Sequence, residues 1–205
     1  MVPNETDTRR SSRRELQRTE TRARLFDAAV AEFQRRGFAD AEVAAIADAA
    51  GVSRGSFYFH FPTKEHVLAE LERVEERCMV DGLRPLLVSP SDLAGILSAL
   101  VDSVTATERR LGPALMRDLL ALYFWSSTPV PEAIAEHPLL DFVIAAFARA
   151  AAEGEIDASI DSGEMSVIFL TGLFGLLTTS EKPSESRDRL VRRFIAITIN
   201  GMRSI

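Results

Sequence analysis

The sequence predicts an all-α protein of about nine helices, with a short three-helix unit ahead of a larger helical body. Three observations carry that prediction. Apolar residues recur at helical spacing along most of the chain, and alternating runs typical of strands are scarce. Prolines and glycines fall between the periodic segments, at Gly37, Gly51, Pro62, Pro85, Pro90, Gly112, Pro129, Gly154 and Pro183. The segments before residue 62 are short and the later ones longer. No repeat of solenoid length is present.

The first helix is expected over 19–36. Phe26, Val30 and Phe33 recur at i, i+4 and i+7, with Leu25 and Ala29 beside them, and Gly37 is placed to stop the helix. The second is brief, about 42–50. Val43, Ile46, Ala47 and Ala50 share a face, and five alanines allow close packing. Gly51 then makes a sharp turn, Val52 plugs the corner and Ser53 is a good N-cap. The third runs from 54 to 60 and stops before Pro62, which holds Phe61 extended. Phe57 and Phe61, four apart, are expected in the core. Arg54, Gly55, Ser56, Tyr58, Phe59 and His60 are left to the surface. A short helix after a tight glycine turn, packed on a small-residue helix, is a helix-turn-helix, whose second helix enters a major groove.

The stretch VAAIADAAGVSRGSFYFHFPTKEHVLAEL (43–71) resembles the DNA-binding motif of the tetracycline-repressor (TetR) family, and RARLFDAAVAEFQRRGF (22–38) is similar to that family's first helix. The resemblance covers about a quarter of the chain. It implies a homodimeric transcriptional repressor that binds a palindromic double-stranded DNA operator and is released by a small-molecule effector. Carried onto this sequence, it implies base reading by Arg54 and Gly55, phosphate contacts from Ser56, Tyr58, His60 and Lys64, and a DNA-facing Phe59. Lys64 would also cap the next helix. These roles suit the residue types. Arginine reads guanine in a bidentate way, glycine admits close approach, and hydroxyls and lysine hold phosphate. The pattern departs from the family at Ala41 and Glu42, where a hydroxyl pair is common. Those phosphate contacts cannot form, and Asp40 is the alternative cap for the second helix.

Three regions follow: an arginine-rich arm over 1–18, the DNA-binding unit over 19–64, and a ligand-binding and dimerisation domain over 65–205. The charge distribution fits. Residues 1–64 carry a net +2 and the remainder −8, with seven arginines against two glutamates in 8–24. A polyanion-facing end is attached to an acidic body. Arg9, Arg10, Arg13 and Arg14 are candidates for a minor-groove arm or a solvated tail.

In the body, a connecting helix is expected over 64–81, with Val67, Leu68, Leu71, Val74 and Cys78 near one face and Cys78 as a small core residue. Ser91 is placed to cap a helix over 91–109. A helix over 113–125 ends in Tyr123, Phe124 and Trp125, and Pro138 opens another that stops near Gly154. The last two helices, about 161–180 and 184–203, are wide in apolar residues. Leu190, Phe194, Ile197 and Met202 lie near one side of the last, with Val191, Ile195 and Ile199 beside them. Gly172 and Gly175 allow close helix approach. Two such helices from each subunit make a four-helix dimer interface.

The candidate ligand-binding residues are Met116, Leu119, Leu120, Tyr123, Phe124, Phe142, Phe147 and Phe169, with Arg117, Asp118, Trp125, His137 and Thr171 as polar contributors. An aromatic set at helical spacing fits either a core or a pocket for a largely apolar effector.

Other classes fit less well. No nucleophile elbow, phosphate loop or metal-spaced His/Cys motif is present, so no enzyme, cofactor or metal is expected. Asp157, Asp161 and Glu164 read as a loop and helix start. The apolar segment 165–179 is short for a membrane span. With one cysteine, Cys78, and no export signal, the chain reads as cytoplasmic. The competing reading is a helical protein-interaction module whose helix-turn-helix is degenerate.

Overall fold

The computed structural model describes the backbone of residues 5–125, 137–179 and 184–202, and side chains from 14–122, 137–179 and 184–202. These residues form nine α-helices, and none lies in a strand. They are α1 (Glu5–Arg36), α2 (Val43–Ala49), α3 (Arg54–His60), α4 (Lys64–Leu83), α5 (Leu93–Leu111), α6 (Pro113–Trp125), α7 (Pro138–Ala152), α8 (Ser162–Thr178) and α9 (Glu185–Gly201), with a 3-10 turn at Arg84–Leu87 after α4. No described helix is long and apolar enough to cross a membrane. The chain divides into two compact units, Met1–Leu71 and Glu72–Ile205. The boundary falls inside α4, after Leu71 rather than after Lys64. The first turns of α4 are tied to the N-terminal unit by Arg22, which forks onto the Glu70 carboxylate.

In the first unit, α1 begins at Glu5 instead of near Thr19. The segment 5–18, expected as an arm, is therefore the start of this helix. Arg14 is exposed, and the Arg9, Arg10 and Arg13 side chains lie outside the described ones. The buried line of α1 is Leu25, Ala29 and Phe33, with Phe26 and Val30 half-buried at its edge. Ile46 and Ala47 of α2, Ala50 at its C-cap, and Phe57 and Phe61 around α3 complete this core. Gly37 (φ +82) and Gly51 (φ +68) make the two turns in the left-handed region. Glu42, not Asp40, occupies the N-cap position of α2, and no side chain caps that helix.

The second unit holds one continuous core of α4–α9. Asp92, not Ser91, caps α5, its carboxylate accepting from Gly95 N–H at 2.8 Å. Asp161 caps α8 in the same way, and Ser184 caps α9. The wide band of α9 is sorted by packing. Val191, Ile195, Ile199 and Met202 are buried, whereas Leu190 and Ile197 are exposed. On α8, Phe169, Leu170, Leu173, Phe174 and Leu177 are buried and Ile168 is exposed. Cys78 is exposed, contrary to the expected core position. Val67, Leu68 and Leu71 of α4 are buried as expected; beyond them its inward line is Glu72, Glu75, Glu76, Met79, Val80 and Leu83, and carboxylates hold positions that an apolar count passes over.

Candidate nucleic-acid interface and interior cavity

The outer face of α3 follows from where its aromatics anchor. Phe57 and Phe61 pack against each other with ring centroids 5.9 Å apart and are buried. Ser53 starts the helix, its hydroxyl accepting from Ser56 N–H at 3.2 Å. With the inner side fixed, Arg54, Gly55, Tyr58 and Phe59 are exposed and Ser56 and His60 half-buried. Phe59 is 67% exposed, an unusual place for a phenyl ring.

Arg54 Nη2 reaches the Tyr58 hydroxyl at 3.4 Å, and the guanidinium lies 5.8 Å from that ring's centroid. Among the described residues no carboxylate pairs with Arg54. A Cβ built on Gly55 would meet only Ser53 Oγ, at 3.8 Å. The fold leaves room for a side chain there, and the glycine keeps the outer surface low. Glycine in the first turn of a seven-residue helix carries a helix-propensity cost of about 1 kcal/mol relative to alanine.

Arg18 of α1 joins this face. Its guanidinium lies 5.1 Å from the Phe59 centroid, and Phe59 meets the His60 ring edge-on at 5.2 Å. Arg22 covers Phe61 at 4.4 Å. Burial, then Arg18 and Arg22, push the His60 imidazole below its usual range. Sequence reasoning missed Arg18 because it started the helix at residue 19. The signal was the i, i+4 spacing of Arg18 and Arg22.

Lys64 has contacts of its own within the unit. Its ammonium donates to the carbonyl oxygens of Phe38 and Ala39 at 2.7 Å each and of Ala41 at 3.4 Å, and lies 4.9 Å from the Phe38 ring centroid. An ammonium has three donors, and all three are engaged. Lys64 clasps the α1–α2 loop. Ala41 and Glu42, the departures from the expected motif, also have local explanations. Ala41 is buried, and Glu42 accepts from Arg36 Nη1 at 3.0 Å.

The candidate ligand residues separate into two groups. Met116, Leu119 and Leu120 line a small cavity of about 20 Å³ with Met79, Val104, Leu139 and Phe174, and Glu72, Glu75, Glu76 and Thr107 also face it. Phe142, Phe147 and Phe169 are buried but do not line it. Phe147 packs edge-on against Phe169 at 6.0 Å, and Phe169 stacks on Phe194 at 5.4 Å, which is aromatic core packing. Arg117 and Thr171 are exposed, and the side chains of Tyr123, Phe124 and Trp125 lie outside the described ones. A separate cleft of about 310 Å³ lies between α5 and α9, with Asp102, Arg109, Asp188 and Arg192 on its walls. Periodicity could not reveal it, because its residues come from helices distant in sequence.

Residues 25–71 match the family model described as bacterial regulatory proteins, tetR family. The HTH-type transcriptional repressor SCO4008 of Streptomyces coelicolor is 34% identical over 105 residues, 51% of this chain and 48% of that protein. The uncharacterized HTH-type transcriptional regulator TtgW of Pseudomonas putida is 32% identical over 91 residues, 44% of this chain and 68% of that protein. For most of these curated relatives the match spans about half of their length or less. In fold, the chain is similar to Thermus thermophilus FadR, a TetR-family repressor solved with lauroyl-CoA. The TM-score is 0.73 at 22% identity, over 90% of this chain and 96% of that one.

Proposed function

The chain belongs to the tetR family of bacterial regulatory proteins, and from that premise we propose that it is a ligand-responsive transcriptional repressor, binding a palindromic operator as a homodimer and released by a small, largely apolar effector. The observation that carries this reading is the outer face of α3. Arg54 has no carboxylate partner among the described residues, Gly55 keeps the adjacent surface low without steric need, and Tyr58 and Phe59 are exposed. In this reading Arg54 reads guanine, backbone at Gly55 approaches the base edges, and Ser56, Tyr58 and His60 hold phosphates. Phe59 and Arg18 flank them. Lys64 acts indirectly, by holding the loop that positions α2.

Dimerisation is assigned to α8 and α9, whose exposed Ile168, Leu190 and Ile197 suit a four-helix interface. A twofold dimer places two recognition helices in successive major grooves about 34–36 Å apart. The proposed effector seat is the cavity beside Met116, Leu119 and Leu120. At about 20 Å³ it holds no drug-sized molecule. An effector would have to part the surrounding helices, and so favours a different arrangement of them. α4, which contributes to both units, is the proposed lever.

The competing reading is an interaction module with a degenerate helix-turn-helix, favoured by Ala41, Glu42 and the acidic body. Ala41 is buried and Glu42 pairs with Arg36, so both have local structural roles. Selection from a random double-stranded DNA pool at two salt concentrations tests the proposal. An enriched inverted repeat is expected, and Arg54→Ala should cost about 1–3 kcal/mol of operator affinity and relax base preference at one position. Recovery of unrelated sequences that vanish at higher salt would mean phosphate attraction alone and would favour the interaction module.

A further inference from the structure

Three metal-ligating side chains converge inside the second unit. Glu72 and Glu76 stand one turn apart on α4, and His137 immediately precedes α7. His137 Nδ1 lies 3.5 Å from Glu76 Oε1 and 3.9 Å from Glu72 Oε1. One donor atom from each residue lies within 4.8 Å of the other two. Glu72 is 7% exposed and Glu76 1%. Glu76 Oε1 is fully buried without a hydrogen-bond donor among the described residues, and it is the oxygen turned toward the imidazole. Its other oxygen has a long contact, 3.5 Å, with the Leu139 N–H. A buried carboxylate oxygen left without a donor is costly, and cores rarely retain one without a ligand or a purpose.

We infer that Glu72, Glu76 and His137 bind a divalent transition-metal ion of the zinc class. Charge, geometry and space agree on it. Two carboxylates and a neutral imidazole balance a dication. Donors about 3.4 Å apart surround a tetrahedral centre at about 2.1 Å, so the observed spacings close on an ion with small side-chain shifts. The cavity that the glutamates share with Met79, Met116 and Leu139 is about 20 Å³, room for an ion or one water without any movement of the helices. The imidazole ligand selects against calcium and magnesium, which take oxygen donors. Glu75 is not a ligand, because Arg110 holds its carboxylate. Thr107 lines the same cavity and, with water, is the source of a fourth donor. The ion would tie α4 to the start of α7.

This inference does not rest on operator binding, because its readout is the metal. The full-length protein, stripped with a chelator and dialysed, is titrated with ZnCl2 by calorimetry and with CoCl2 by visible absorbance. One ion per chain is expected, with the d–d bands of tetrahedral cobalt and a raised melting temperature. Glu76→Gln and His137→Gln should each weaken binding about tenfold or more, whereas His66→Gln, on an exposed residue, should leave it unchanged. Circular dichroism checks the folding of each variant. Glu76→Gln keeps the side-chain shape and carries the test if His137→Gln does not fold. Absence of saturable one-to-one binding, or equal affinity in wild type and Glu76→Gln, would overturn the assignment.

Discussion

Arg187 sets its two terminal nitrogens on the two carboxylate oxygens of Glu108, at 2.8 and 2.5 Å, with only 2% and 5% of the residues exposed. The pair joins the first turn of α9 to the end of α5 across 79 positions of sequence. The fork-on-fork geometry pairs both terminal nitrogens, leaves Arg187 Nε buried without a partner among the described residues, and makes each charge depend on the other. Glu108→Ala or Arg187→Ala alone should therefore destabilise by about 3–5 kcal/mol, by stranding a buried charge. Replacing both with leucine should recover most of the loss. Urea unfolding of the singles and the double checks this, and additive losses in the double variant would contradict it.

Gly172 and Gly175 look equivalent in sequence, yet only one is sterically required within the chain. A Cβ on Gly172 would fall 2.6 Å from Phe194 Cζ, whereas one on Gly175 meets nothing within 4 Å. Gly172→Ala should cost about 1–3 kcal/mol by displacing the stacked Phe194 ring. Gly175→Ala should be neutral or stabilise by up to about 1 kcal/mol through helix propensity. Thermal melts of the two variants decide, and equal effects would refute the distinction.

What the sequence revealed and what it hid divide along physical lines. Helix existence was legible because glycine at positive φ, proline and cap residues act locally: Gly37, Gly51, Ser53 and Pro138 mark the observed boundaries. The inward stripe of α4 was legible over its first half, where Val67, Leu68 and Leu71 are buried, and not over its second, because Glu72, Glu75 and Glu76 fill core positions and drew the apolar count toward the exposed Cys78. A buried carboxylate is tolerated only by its partner, and Arg110, His137 and Arg187 lie far away in sequence. The α3 face was readable from Phe57 and Phe61 alone. Arg18 was hidden by a misplaced helix start, and the commitment of Lys64 depends on carbonyls whose direction no residue type encodes.

Gly55 offers a test in which stability and binding move oppositely. The structure leaves space for a methyl group and its backbone is not left-handed. Gly55→Ala should stabilise the protein by about 0.5–1 kcal/mol and weaken operator binding, since the added carbon occupies the approach to the bases. Denaturation and gel-shift titration on one preparation check both signs. Unchanged operator affinity would remove Gly55 from the interface.

His60 should make both stability and binding depend on pH. Burial, Arg18 and Arg22 lower its folded pKa below the ordinary 6.5. The unfolded chain therefore takes up the proton first. The stability held above about pH 6.5 declines as pH falls through the lowered folded value. A phosphate beside His60 acts in the opposite sense, so operator binding takes up a proton and tightens as pH falls toward the lowered value of the free protein. His60→Gln should flatten both trends. An identical pH slope of operator affinity in wild type and variant would place His60 away from phosphate.

Lys64 separates a clasp from a phosphate contact, two roles that one alanine substitution distinguishes. Its ammonium donates to the carbonyls of Phe38 and Ala39 at 2.7 Å, and hydrogen bonds from a charged donor contribute about 1.5–3 kcal/mol each at most. Lys64→Ala should lower the stability of the protein by about that amount. It should also weaken operator binding by loosening the loop before α2, while leaving the salt dependence of binding unchanged. Loss of a true phosphate contact would instead reduce the slope of log affinity against log salt by about 0.9, with little effect on stability. The salt titration is the deciding measurement, because a lysine that never meets DNA releases no counterion, however much affinity its removal costs.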